Sequence, residues 1–105
     1  MQDFLKKLHM FKQFDPTMQI STVLTLIEIA RAEDEGREIS TRDIEQLIGI
    51  SSGATSRNIS YWAGGSNYMK GAHAFVNVGF HSQDRRLRAL TLTNKGKAFL
   101  NQLGK

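Results

Sequence analysis

Arg57 stands among small residues. If residues 51–62 are helical, Thr55, Ile59 and Trp62 turn to one side and Ser52, Gly53, Ser56, Arg57 and Ser60 to the other. Ser51 then caps the helix and adds a further hydroxyl. Such a face suits a polyanion. Small side chains let a helix approach closely, hydroxyls donate to phosphate oxygens, and a guanidinium forks onto the O6 and N7 acceptors of guanine. A second cluster follows at Asp84-Arg85-Arg86, with Arg88 beyond it, and no acid lies between Glu45 and Asp84. Each cluster also has a plain explanation. The first equally describes a solvated, Ser-rich helix face, and the second a charged hairpin tip that keeps a sheet edge soluble. The two together favour the polyanion.

Other chemistries find less support. His9, His73 and His81 are scattered, with no His/Asp/Glu spacing that suits a metal. His73 and His81 flank the first strand of the hairpin, where they either sit near phosphate or are solvated. Glu33-Asp34-Glu35 falls at a helix end and reads as a solvated face. Gly64-Gly65 is followed by Ser-Asn, without the Lys-Ser/Thr of a phosphate loop. Asn58-Ile59-Ser60 fits a glycosylation sequon, which has no meaning without a secretory signal. With no cysteine, disulfides and thiolate metal sites are excluded. No catalytic residue, metal or cofactor is expected, and the chain reads as a non-enzyme.

The elements that must position these residues follow from hydrophobic period. Phe4, Leu8, Phe11 and Phe14, with Leu5 beside them, make residues 1–14 the N-terminal segment, helical over 2–14. Asp15-Pro16 reads as an N-cap followed by proline at the first helical position. Ile20, Val23, Leu24, Ile27 and Ala30 then form the stripe of a buried helix that ends near Gly36. Arg37-Glu38-Ile39 is at most a brief strand. Ser40 to Asp43 resembles a capping box with Asp in place of Glu. Ile44, Leu47 and Ile48 share one face of a short helix stopped by Gly49, and the capped helix from Ser51 follows. Residues 40–62 are therefore a helix–turn–helix. Past Gly64-Gly65 the period becomes two. Ala74, Val76, Val78 and Phe80 point one way, with Phe75, Asn77 and Gly79 opposite. Leu87 to Leu92 alternates again with Leu90 and Leu92 on one face, so residues 73–92 form an antiparallel hairpin with a charged tip. Thr93 caps a last helix over 93–103, in which Phe99 and Leu103 share a face. The class is mainly α with a small β-hairpin: a winged helix–turn–helix of about five helices and a two-stranded wing.

At 105 residues the chain is expected to be a single domain, residues 1–105. No run of about 18 apolar residues occurs, and the N-terminus lacks the uninterrupted apolar core of a signal peptide. A soluble, cytoplasmic protein without a membrane partner is expected. The formal net charge is +4, unevenly spread: residues 1–50 sum to −3 and residues 51–105 to +7. A basic half beside an acidic one marks a face that attracts polyanions.

Ile50-Ser51-Ser52-Gly53-Ala54-Thr55-Ser56-Arg57-Asn58-Ile59 resembles the recognition helix of MarR-type winged-helix regulators. Asp84-Arg85-Arg86-Leu87-Arg88-Ala89-Leu90-Thr91-Leu92-Thr93-Asn94-Lys95-Gly96 resembles that family's wing, with its D-x-R and L-T-x-x-G signature. The resemblance covers roughly residues 16–103. It implies a sequence-specific, double-stranded DNA-binding transcriptional regulator. Arg57 and Ser56 would then meet the major groove and Arg86 the minor groove, with Asp84 orienting Arg86 through a salt bridge. Thr93 would cap the final helix, and Gly96 would allow close packing beside it. Ser51, Ser52, Gly53, Ser60, Arg85 and Arg88 complete the expected DNA-binding set.

The sequence departs from the family in two places. The link from Ala63 to Ala72 is longer than usual. Only about ten residues follow Gly96, where family members carry terminal helices that build a dimer interface and often a pocket for small aromatic acids. That puts a small-molecule effector and the family's usual dimer in doubt. A homodimer through the terminal helices is still expected, since three phenylalanines on one helix, with Phe99, Leu100 and Leu103 on the last, exceed what the core obviously needs. The alternative function is a winged helix used as a protein–protein interaction module without DNA binding.

Overall fold

The computed structural model describes residues 1–63, 74–84 and 86–103. Among them the order is α1 (Gln2–Phe14), α2 (Ile20–Asp34), α3 (Thr41–Ile48), α4 (Ser52–Trp62), β1 (Val76–Phe80), β2 (Arg88–Leu92) and α5 (Asn94–Leu103). This is the mainly helical class with one antiparallel hairpin that the sequence predicts. The Gly-rich stretch from Gly64, His73 and Arg85 lie outside the described residues. No helix among the described residues is long and apolar enough to cross a membrane.

Helix α1 follows its apolar period, but the next start signal does not hold. Asp15 does not cap α2, and Pro16 is not its first residue. Asp15 Oδ1 instead accepts hydrogen bonds from the Thr17 amide at 2.9 Å and the Thr17 hydroxyl at 2.7 Å, which makes a local turn. Helix α2 begins only at Ile20, after a Gln19 cap that offers no side-chain bond. The other carboxylate oxygen of Asp15 explains the difference: it accepts from the Tyr61 hydroxyl at 2.7 Å, so Asp15 ties the α1–α2 turn to α4.

The buried face of α2 also differs from expectation. Val23 is buried, but its companions in the core are Leu26, Ile29 and Ala32, with Thr22 and Thr25. Ile20, Leu24 and Ile27 are exposed at 64%, 41% and 38%. The helix is apolar on nearly every side, so period alone cannot choose between two stripes, and α4 makes the choice. Trp62 Nε1 donates to the Thr22 carbonyl at 2.7 Å, Thr22 Oγ1 to Asn58 Oδ1 at 2.7 Å, and Asn58 Nδ2 to Ser21 Oγ at 3.3 Å. Buried polar groups of this kind are tolerated because they are paired.

Both halves of the capping box on α3 form: the Asp43 amide donates to Ser40 Oγ at 3.1 Å and the Ser40 amide to Asp43 Oδ2 at 2.9 Å. Ile44 is fully buried, whereas Leu47, expected beside it, is 54% exposed. The short helix packs on α2 and α4 along the line through Ile44 and Ile48, one turn apart, and Leu47 falls off that line. Gly49 takes a left-handed φ of 75°, which lets α4 leave at once with Ser51 as its cap.

An aromatic stack joins the ends of the chain to this unit. Phe14 lies over Trp62, Trp62 over Phe75, and Phe75 over Phe99, with centroid separations of 6.2, 5.6 and 4.9 Å. Phe75 was expected on the face opposite Val76, yet both are buried. Phe75 precedes β1, and its amide donates to the Trp62 carbonyl at 2.7 Å, so strand alternation starts only at Val76. The Phe75 carbonyl accepts from the Thr93 amide at 3.0 Å. A Cβ on Gly96 would overlap that same carbonyl oxygen, which is why a glycine stands there. Thr93 Oγ1 accepts from the Gly96 amide at 3.0 Å and so caps α5.

In the hairpin Val76 pairs with Leu92, Val78 with Leu90 and Phe80 with Arg88. Arg37–Ile39 forms no strand of its own; the Ile39 carbonyl accepts from the Leu90 amide at 2.9 Å, and Ser40 bridges Ala89. The acidic run at the end of α2 is more than a solvated face. Glu33 Oε1 accepts from the Leu92 amide at 3.3 Å and Glu33 Oε2 lies 3.9 Å from Lys97 Nζ, so Glu33 braces the base of the hairpin. Glu35 pairs with Arg31 and Arg37.

Candidate nucleic-acid interface

Helix α4 presents Ser52, Gly53, Ser56 and Arg57 to solvent while Thr55, Asn58, Ile59 and Trp62 face inward. The Ser51 hydroxyl accepts from the Ala54 amide at 3.1 Å, leaving the first turn of α4 open to solvent. Arg57 lies back along its own helix. A Cβ added to Gly53 would be 3.8 Å from Arg57 Nη1. Among the described residues Arg57 makes no ion pair.

The hairpin projects past the core on the same side. Val76 and Leu92, at its base, are buried; Val78 is 42% and Phe80 62% exposed on the same face. A cleft of about 570 Å³ separates this face from α3 and α4, lined among others by Thr41, Glu45, Ser52, Ser56, Ser60 and Arg88. The Arg88 guanidinium lies 4.8 Å from the centre of the Phe80 ring, a cation–π contact between cross-strand partners. At the tip Asp84 grips Arg86 with both oxygens, from Nε at 3.1 Å and Nη2 at 3.2 Å, and accepts the Arg86 amide at 3.0 Å. These bonds hold the Asp84 carboxyl below its ordinary pKa, with the Arg86 side chain the largest cause. The Arg86 side chain is nonetheless 90% exposed.

No family model matches the sequence, and no curated protein matches it. Solved structures do. The chain aligns with RV1404 from Mycobacterium tuberculosis at a TM-score of 0.71 and 20% identity, over 96% of this chain and 60% of that one. It aligns with a MepR variant from S. aureus at 0.71 and 15%, over 95% and 64%. It aligns with a MarR variant from E. coli complexed with operator DNA at 0.67 and 16%, over 97% and 66%. The fold is a MarR-type winged helix. At such identities the likeness speaks for the fold, and the chain spans less than two-thirds of the length of these three proteins.

In this winged helix two groups of the residues singled out from sequence stand apart from the exposed Ser51, Gly53 and Arg57. Ser52, Ser56 and Ser60 come together with Arg88 across the cleft, with Ser60 half-buried at its inner end. Asp84 and Arg86 form the tip of the wing, away from that cleft. Arg85 lies outside the described residues. His81 is neither free nor aimed outward: its Nδ1 accepts from the Gln83 amide at 3.2 Å and its Nε2 lies 3.9 Å from Glu38 Oε1. Sequence reasoning missed Thr41, Glu45 and Val78 as residues that line the cleft. The pairing of Phe80 with Arg88 was available in principle, since the two stand at equal distances from Asp84 in a hairpin folded there.

Proposed function

We propose that the chain is a sequence-specific, duplex-DNA-binding transcriptional regulator, with α4 as recognition helix in the major groove and the wing in the minor groove. One observation carries this reading. On the outer face of α4, Ser52, Ser56 and Ser60 line a cleft whose far wall supplies Arg88, and the exposed Arg57 beside them meets no acid among the described residues. Arg57 reads a base edge, Ser51, Ser52, Ser56 and Ser60 meet phosphate, and Gly53 keeps the backbone close. Arg86, pre-oriented by Asp84, and Arg85 and Arg88 serve the wing. A MarR variant of the same fold is described as complexed with operator DNA, and another neighbour, AdcR from Streptococcus pyogenes, as an adhesin competence repressor.

The reading extends to a homodimer. Phe4, Leu8, Ile20, Leu24, Ile27 and Leu100 line an apolar groove of about 410 Å³ between α1, α2 and α5. Phe4 and Ile20 are exposed at 60% and 64%. An uncovered apolar surface of this kind suits a second copy of the chain.

Binding to bulk duplex DNA across a salt series tests the reading. Each neutralised phosphate contributes about 0.9 to the log–log slope, so a slope of several units is expected. A flat titration would favour a protein-interaction module instead.

A further inference from the structure

Glu38 lies in the connection between α2 and α3, one residue before the Ile39 carbonyl that accepts from β2 at 2.9 Å. Its side chain reaches the other end of the hairpin. Glu38 Oε2 accepts the Ser82 amide at 3.0 Å, and Glu38 Oε1 accepts the Ser82 hydroxyl. His81 Nε2 lies 3.9 Å from Oε1. From there the bonding continues into the tip. The His81 amide donates to the Leu87 carbonyl and the Leu87 amide to the Asp84 carbonyl, each at 3.0 Å, and Asp84 grips Arg86. A continuous bonded path thus runs from a carboxylate on the body of the domain to the wing-tip guanidinium.

The wing needs such a tether. A two-stranded ribbon is marginal by itself, and the outer half of this one is only partly covered, Val78 being 42% and Phe80 62% exposed. Glu33 and the Ile39 carbonyl brace β2 at Leu92 and Leu90, and Ser40 bridges Ala89, but these contacts stop short of the loop that carries Ser82 and Arg86.

We propose that Glu38 is the positioning residue of the wing: its carboxylate latches Ser82 and thereby sets where Arg86 meets the duplex. The consequence for binding rests on the DNA-binding reading above. It also runs against simple electrostatics. An acid this close to a DNA-facing wing repels phosphate, so neutralising it should tighten binding; as a latch, its loss should weaken binding.

The test uses Glu38→Gln, which keeps size and removes charge, and Ser82→Ala, which leaves charge unchanged, each alone and combined with Arg86→Ala. On a duplex with A·T-rich flanks each single variant is expected to bind about three- to tenfold more weakly than wild type, the scale of losing one or two hydrogen bonds. Neither should add appreciably to Arg86→Ala, because both act through that residue. Without DNA, amide exchange at Ser82 and Leu87 should quicken in Glu38→Gln while Leu26 is unaffected. Binding of Glu38→Gln as tight as wild type or tighter, or full additivity with Arg86→Ala, would overturn the latch. If wild type binds no duplex at all, the DNA reading fails by itself and exchange decides the latch: faster exchange at Ser82 upholds it and unchanged exchange overturns it.

Discussion

Arg86 leaves the tip of the wing with both Asp84 oxygens on its guanidinium, whereas Arg57 lies along α4 with no acid among the described residues to hold it. The difference implies two kinds of contact. A free guanidinium on a recognition helix is available for bidentate binding to guanine, and Arg57→Ala should cost about 1–3 kcal/mol at the preferred site and flatten specificity there. Arg86→Ala should weaken binding most on A·T-rich flanks, where a narrow minor groove concentrates negative potential. Competition binding on matched duplexes measures both, and wild-type affinity in both variants would refute this docking. The wing tip should also respond to acid. Hydrogen bonds from Ser82, chiefly its hydroxyl, lower the Glu38 pKa, and those from Arg86 lower that of Asp84, with smaller charge effects of His81 and Arg42. Groups with depressed folded pKa values contribute order that is complete above the ordinary carboxyl value of about 4 and is lost as pH falls through the depressed one. The side-chain carboxyl carbon shifts of Glu38 and Asp84 should therefore stay constant from neutral pH down to about 5 and move only below about 4. A transition above that range would contradict the pairing. At this scale much was visible in sequence, because Ser40, Ser51, Thr93 and Gly49 act through local bonds. Glu38 was not, since its partner lies 44 residues away.

The elements themselves follow hydrophobic period, and the errors concern which face of an element is covered. Helix α2 carries two apolar stripes, and its buried one is selected by Thr22, through Asn58 and Trp62 of α4. Helix α1 is divided along its length: Phe11 joins the core and Phe14 the aromatic stack, while Phe4 and Leu5 stay exposed. The excess of phenylalanine noted in the sequence is thus partly absorbed by the domain itself. The link between α2 and α4 should be costly to cut. Asn58→Ala leaves the Thr22 hydroxyl without its acceptor in a buried site and should lower stability by about 1–3 kcal/mol. Gly96→Ala should also destabilise, by about 1–3 kcal/mol, despite alanine's better helix propensity, since the new methyl meets the Phe75 backbone. Thermal or denaturant unfolding of each variant provides the check, and unchanged midpoints would show that these contacts are not structural constraints.

Charge and apolar surface are arranged on different parts of the molecule. Two acids of the N-terminal half are engaged away from α4, Glu35 by Arg31 and Arg37 and Glu33 by Lys97 and β2, whereas Asp15 is bonded by Tyr61 of α4 and Glu45 lines the cleft. The apolar groove between α1, α2 and α5 is the proposed dimer face. Light scattering at micromolar concentration should give the mass of two chains, and Leu24→Glu should reduce it to one while leaving the fold intact. A single-chain mass for wild type, both free and on DNA, would contradict the dimer without touching the assignment of α4. A two-fold dimer further requires half-sites about 34–36 Å apart, one helical turn of DNA. Selection of bound sequences from a random duplex pool, run in parallel with wild type and Arg57→Ala, tests the central claim most directly. Wild type should enrich one pseudo-palindromic site, and Arg57→Ala should lose preference at one position in each half-site. No enrichment by wild type, or the same site enriched equally by both, would contradict sequence recognition through α4.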